Sequence, residues 1–448
     1  MRSGPAIRAM LCLLTTLSLL PAAARAQSDQ QALVDRATLA VQEIVGNPPE
    51  SAVVDFLRKA RGVMICPRLF KASFLLGGQG GSCVLLARDG AGSWSDPAFY
   101  SLGSGSFGFQ VGIQDSALLM AILTDKGLAS VMDDQLKLGA SADLAIASYG
   151  GGAEAATTAA VGADIIAFQK SRGLFAGISL SGSVVATDTK ANKAYYGQPL
   201  AARQITMQMQ VNNPGADPLR ATLSVQEIVG NPPDPNVVDF LRKARGVMVC
   251  PRLFKASFLL GGQGGSCVLL ARDGAGSWSD PAFYSLGSGS FGFQVGIQDS
   301  ALLMAILTDK GLASVMDDQL KLGASADLAI ASYGGGAEAA TTAAIGADII
   351  AFQKSRGLFA GISLSGSIVA TDTKANNAYY GKPLAARQIT MQMEVNNPGA
   401  DPLRAILMRY GAPAAAPAPR LDPPPGAPPP ASPAPTGAVR SQPLAAPR

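Results

Sequence analysis

The stretch 107-FGFQVGIQ-114 sets the architectural class of this chain. Large apolar residues stand at Phe107, Phe109, Val111 and Ile113, with Gly or Gln at every position between them. A period of two places the apolar set on one face of a pleated strand and the small or polar set on the other. The flanks continue in the same style, as short apolar runs separated by Gly/Ser/Asp clusters: 63–66, 72–76, 83–87, 98–102 and 116–123. Further strand candidates cover 137–147, 163–169 and 174–186, and Gly77-Gly78-Gln79-Gly80-Gly81 reads as a turn between strands. Helical spacing is confined to a few places. Leu33, Ala37, Val41, Ile44 and Val45 share one side of a helix over 30–45, which Gly46-Asn47-Pro48-Pro49 stops. Ser51 caps a second helix over 52–60, and 125–132 is a third. The segments 188–195 and 200–208 read as short helices or turns. Strands that do not alternate with long helices exclude a parallel doubly wound fold. The expectation is α+β, a mainly antiparallel β-sheet with a few short helices, in two copies in tandem.

The tandem follows from a duplication. Residues 37–220 recur as 221–404 with 174 of 184 positions identical. A period of that length means whole domains and not a solenoid of short units. In the second copy the first helix starts after Asp217-Pro218 and is shorter, and VNNPGADP (211–218) reads as a short turn joining the copies. Arg2 and Arg8 precede the apolar run 9–20, Pro21 breaks it, and Ala24-Arg25-Ala26 offers an A-x-A cleavage signal. That pattern is a secretory signal peptide cut after Ala26, and the run is too short to span a bilayer. The expected organisation is therefore a signal peptide over 1–26, one domain over 27–211, a second over 212–410, and a disordered Pro/Ala-rich tail over 411–448.

The 448 residues contain no histidine. This removes Ser-His-Asp and Cys-His catalysis and imidazole metal ligation. The net charge of +4 resides in the leader, its flank and the tail, since the first copy is neutral and the second carries −1. A nucleic-acid binder shows its basic excess in the folded unit, so that class is set aside. Gly103-Ser-Gly105-Ser-Phe-Gly108 matches G-x-G-x-x-G as a string, but a strand follows it where a dinucleotide site needs a helix. Asp96, Asp115, Asp133 and Asp134 show no spacing that sets two carboxyls across a cleft. Cys66 and Cys83, repeated as Cys250 and Cys267, lie in adjacent strand candidates. In an exported protein they are candidates for one disulfide per copy, or for two buried thiols, and their spacing is not that of a metal cluster. No cofactor or metal is implied.

One charge grouping stands out: Arg58, Lys59, Arg61, Arg68 and Lys71, repeated as Arg242, Lys243, Arg245, Arg252 and Lys255. A smaller one is Lys170 with Arg172, repeated as Lys354 with Arg356. Cations beside a short amphipathic helix suit anionic lipid head groups, and an ordinary solvated face is the alternative.

Ordered blocks in each copy resemble the SYLF domain family. They are 61-RGVMICP-67, 71-KASF-74, 77-GGQGGSCVLLAR-88, Trp94-Ser95, 97-PAFY-100, 173-GLFAGISL-180, and Asn192 with 194-AYYG-197. The resemblance implies a small, non-catalytic, lipid-binding domain. Eukaryotic members of that family bind phosphoinositides and some bind actin, while bacterial members with signal peptides are described as lipid-binding. Two positions depart from the family pattern. Ser181 and Ser365 stand where an acidic residue is common, which puts any polar or ion site there in doubt, and Cys83 stands where a small residue is common. The resulting expectation is a secreted or periplasmic protein, peripherally attached to an anionic phospholipid surface. The competing class is a structural or protein-interaction module of the envelope that uses the tail to hold an envelope protein.

Overall fold

The computed structural model describes residues 22–411 except 47–50, 75, 90–91, 108–111, 134–135, 139–142, 149–161, 173–181, 231–232, 259, 292–295, 318–319, 323–326, 333–345 and 356–365. The first copy opens with α1 (Ala22–Val45) and α2 (Ser51–Lys59). Four long strands follow, β1 (Gly62–Phe74), β2 (Leu76–Ala87), β3 (Ala98–Phe107) and β4 (Gly112–Ile122). Then come α3 (Asp125–Met132), β5 (Leu136–Lys137), β6 (Leu144–Ser148), β7 (Ile165–Arg172), β8 (Val184–Thr187), α4 (Thr189–Tyr196) and α5 (Ala202–Thr206). A 3-10 turn at Pro214–Ala216 leads into the second copy.

That copy holds α6 (Asp217–Val229), α7 (Pro235–Lys243), β9 (Gly246–Phe258), β10 (Leu260–Ala271), β11 (Ala282–Phe291) and β12 (Gly296–Ile306). It continues through α8 (Asp309–Met316), β13 (Leu320–Lys321), β14 (Leu328–Ser332), β15 (Ile349–Ser355) and β16 (Ile368–Thr371). It ends in α9 (Thr373–Tyr380), α10 (Ala386–Thr390), a 3-10 turn at Pro398–Ala400, and α11 (Asp401–Gly411).

Each copy forms an eight-stranded sheet, in the order β5-β8-β3-β2-β1-β4-β7-β6 in the first and the equivalent order in the second. All pairings are antiparallel except β6 with β7 and β14 with β15. The fold is therefore α+β and mainly antiparallel, in two copies. Alternation along the central strands feeds two cores. Val63, Ile65, Val84, Leu86, Leu119 and Ala121 face α1 and α2. Met64, Cys66, Leu85, Leu118, Met120 and Ile122 face the opposite side with Leu128 of α3 and Ile205 of α5.

Four expectations need correction. The runs 63–66 and 72–76 are one strand, β1, because Pro67 interrupts the pairing without ending it. The register slips between Ile65 and Phe70 against β2, and between Cys66 and Leu69 against β4. A bulge at proline leaves the missing N–H unpaired at no loss to the ladder. The glycines 77–81 lie inside β2 and not in a turn, since residues 77–80 pair in register with Ser73 to Phe70 of β1. Gly81 has a steric reason: a Cβ there would collide with the Arg68 carbonyl at the bulge. Of the stretch 107–114, Phe107 lies in β3 and 112–114 in β4, which are not neighbours in the sheet, while 108–111 lie outside the described residues. Finally, 137–147 divides into β5 and β6, at different edges of the sheet.

Residues 211–218 do more than separate two domains, and 22–411 fall within one compact unit. The helix α6 is buried along its whole length. Leu219 and Leu223 on it join the first copy's core, while Ala221, Val225, Ile228 and Val229 join the second's. Helix α11 repeats the DPLRA sequence of α6 and gives Leu403, Ile406 and Leu407 to the second copy's core. Each sheet is thus served by its own leading helix and by the DPLR helix that follows it.

Candidate functional site

The five cations of each copy are close in sequence but do not form one cluster. Arg58 and Lys59 end α2, and Arg61 precedes β1. Arg68 and Lys71 lie far along the same strand. At about 3.3 Å per residue, Arg61 and Lys71 are separated by roughly 30 Å. A strand is extended, and this disperses a grouping that a helix would have kept compact.

At the α2 end, Lys59 sits 5.9 Å from the Phe56 ring centroid, and Arg61 meets Asp125 at 3.5 Å. The second copy repeats this, with Lys243 both over Phe240 and 2.6 Å from Asp239, and Arg245 3.3 Å from Asp309. Arg242 is exposed at the end of α7, as Lys59 is at the end of α2. These are exposed pairs of small energetic value.

At the far end of β1, Arg68 Nε donates to Asp115 Oδ2 at 2.6 Å, and Phe70 beside it is 44% exposed. Lys71, half-buried, pairs in the ladder with Gln79 and Gln114. The second copy holds Arg252, Phe254 and Lys255 at the same places, with Phe254 41% exposed. Its arginine differs: the Arg252 side chain is 20% exposed against 67% for Arg68, and it grips Asp299 through Nε and Nη2. Asp89 of the first copy lies beside Asp299. Burial, and then the Asp299 carboxylate, push the Asp89 carboxyl up to about 7. Of the two related tips, the second is partly covered by the first copy.

Lys170 serves the fold: its Nζ donates to the Glu43 carbonyl at 3.1 Å, near the C-terminal end of α1. A cation there complements the helix dipole. Arg172 stands opposite Asp115 in the ladder and Lys354 opposite Ala301, and only their backbones are described. Arg356, Ser181, Ser365 and the block 173–180 lie outside the described residues, as does the tail from 412.

The structure joins Cys66 to Cys83 and Cys250 to Cys267 as disulfides between adjacent strands, all four residues fully buried. No group of His, Cys, Asp or Glu able to hold a metal occurs among the described residues. Among those residues no helix is long and apolar enough to cross a membrane.

A network that the sequence reading missed closes each copy. Arg220 of α6 donates through Nη1 to Asp96 Oδ2 at 3.2 Å, through Nη2 to Asn212 Oδ1 at 2.9 Å, and also to Asp217. Asn213 N donates to Asp96 Oδ1 at 2.9 Å. Burial raises the carboxyls of Asp96 and Asp217, the latter to about 6, against the pull of Arg220. The second copy repeats this with Arg404, Asp280 and Asp401. Arg88 ties the copies directly, stacking 3.9 Å from the Trp94 ring centroid and donating to Glu227. The signal was present as the repeated NNPGADPLR, read before as a linker.

The buried carboxyls set a pH dependence. Burial also raises Asp35, to about 6, with the Gln31 hydrogen bond and Arg36 opposing. A raised folded-state pKa means the native protein holds a proton that the unfolded chain has already released. That contribution is complete at low pH and is lost as pH rises through about 6–7. Asp164 and Asp348, lowered by Lys126 and Lys310, act only in the acid range below the ordinary carboxylate value. The unfolding midpoint is therefore expected to rise by a few degrees from about pH 8 to pH 5. Asp89→Asn should reduce that slope, as scanning calorimetry across buffers would show.

Fold and site together define a fused pair of α+β modules, each closed by a DPLR helix and carrying a cation-flanked aromatic on a central strand. The chain belongs to the Ysc84 family, described as Las17-binding protein actin regulator, whose model matches residues 103–226 and 287–410. Both matches run into the closing helix, α6 and α11. This is the family whose ordered blocks were read above as SYLF. The chain is 31% identical over 212 residues to LAS seventeen-binding protein 3 of Saccharomyces cerevisiae, covering 44% of this chain and 46% of the yeast protein. It is 32% identical over 170 residues to Protein YSC84 of the same yeast, covering 37% and 36%. It is 32% identical over 161 residues to SH3 domain-containing YSC84-like protein 1 of Homo sapiens, covering 36% and 47%. The chain thus spans about half or less of the length of these relatives.

Proposed function

We propose that the chain is a non-catalytic binder of anionic phospholipid surfaces, acting in the cell envelope after export. The observation that carries this reading is the exposed aromatic between cations on each central strand: Phe70 between Arg68 and Lys71, and Phe254 between Arg252 and Lys255. An aromatic ring suits the boundary between head groups and acyl chains, and each nearby cation adds about 1 kcal/mol at an anionic surface. Because Asp115 and Asp299 answer the arginines, the charge left at each tip is that of Lys71 and Lys255, which project from the strand face opposite Phe70 and Phe254. Among the described residues neither lysine has an ion pair. Joining two such sites in one compact unit raises avidity if both reach one bilayer.

Flotation of the exported form with anionic vesicles tests it. Lys71→Glu with Lys255→Glu should lower recovery at least tenfold, and Phe70→Ser with Phe254→Ser by a comparable factor. Recovery unchanged by both pairs overturns the assignment. The relatives' names favour a second reading, a protein partner, and the Pro/Ala-rich tail is the segment we assign to hold it. It predicts a complex that survives both pairs of substitutions and is lost on deleting 411–448.

A further inference from the structure

A cavity of about 540 Å3 lies at the seam between the copies, lined among others by Gln31, Asp35, Gly215, Tyr379, Tyr380 and Asn397. Its origin is the unequal length of the two leading helices. In the first copy α1 extends far upstream of the repeat and packs along α4. There Gln31 Oε1 accepts from the Tyr195 hydroxyl at 3.0 Å. Tyr379 is the repeat of Tyr195, but α6 begins only at Asp217, and the position 184 residues beyond Gln31 is Gly215. Glycine offers Tyr379 no side-chain acceptor. The Tyr379 hydroxyl is accordingly buried with no hydrogen-bond partner among the described residues.

The lining has a definite chemistry. Asp35 supplies a carboxyl, while among the described residues no lysine or arginine lines the cavity. Tyr379 lies near enough to Asp35 for that charge to bear on its phenol. An anion would face the Asp35 carboxylate, which the Gln31 hydrogen bond and Arg36 offset only in part. A cation would counter by charge the burial that lifts Asp35, and the tyrosine rings offer it π faces. The volume is that of a small-molecule site.

We propose that this cavity binds a small organic cation bearing N–H donors, with Asp35 as counter-ion and the rings of Tyr379 and Tyr380 as its walls. The site is distinct from the strand tips at Phe70 and Phe254 and does not depend on membrane binding.

Calorimetric titration of the full chain with 1,4-diaminobutane, and with succinate and 1,4-butanediol as anionic and neutral analogues of the same length, tests it. Saturable one-site binding is expected for the diamine alone. Asp35→Asn should weaken it at least tenfold. Ala378→Phe, which fills the cavity from α9, should abolish it, with thermal unfolding confirming that each variant is folded. Equal affinity for diamine and diol, diamine binding indifferent to Asp35→Asn and Ala378→Phe, or no saturable heat from any of the three would overturn the assignment.

Discussion

Arg220→Met is expected to lower stability by about 3–5 kcal/mol, because it removes one member of a buried ionic triad and leaves the others uncompensated. Asp96, Asp217 and Arg220 are each no more than 1% exposed. Asp217 also accepts from Ser266 Oγ of the second copy at 3.2 Å, so the triad holds the junction as well as the first module. Arg404→Met breaks the repeated triad in a wetter place, where Arg404 is 19% and Asp401 48% exposed. Water can solvate Asp401 but not Asp280, which is 2% exposed, so one uncompensated carboxyl remains instead of two and the loss there should be smaller. Denaturant unfolding of both variants measures the contrast. Equal losses at the two positions would contradict the view that α6 feeds both cores while α11 feeds the second alone.

The second large effect concerns the disulfides. Each closes a loop of 17 residues, which corresponds to about 3 kcal/mol in the chain-entropy account. Cys66→Ala with Cys83→Ala, or Cys250→Ala with Cys267→Ala, should therefore lower stability by about that amount, with some further loss from packing. Both bridges are fully buried, so reductant added to the folded protein should have little effect until denaturant opens the strands. A double replacement that shifts the unfolding free energy by less than about 1 kcal/mol would contradict the assigned contribution.

The sequence made some elements plain and concealed others for identifiable reasons. Helix α3 was legible to the residue, because Thr124 caps it and Leu128, Val131 and Met132 fall on one side. The short segments at 189–196 and 202–206 were legible as helices or turns, and the Asp188 cap accounts for the first. The long central strands were not, since Pro67 and the glycines 77–81 carry turn chemistry. Here a bulge and a close backbone approach absorb them. The expected domain boundary at 211/212 assigned α6 wholly to the second copy. Its heptad-like division, with Leu219 and Leu223 on one side and Val225 and Val229 on the other, becomes meaningful only once both sheets are in place. The cation grouping was real in sequence, but strand geometry spread it over roughly 30 Å and carboxylates answered several of its members. What survived at the candidate site is narrower: Phe70 with Lys71, and Phe254 with Lys255. The cavity at the seam had no signal in either copy alone, because it arises from a difference between them.

The most direct test of the central claim is flotation of the exported form with phosphatidylcholine vesicles, with and without phosphatidylglycerol, at low and high salt. The account predicts recovery with the anionic vesicles alone, declining as salt screens the lysines. Equal recovery from neutral and anionic vesicles, or none from either, would contradict it.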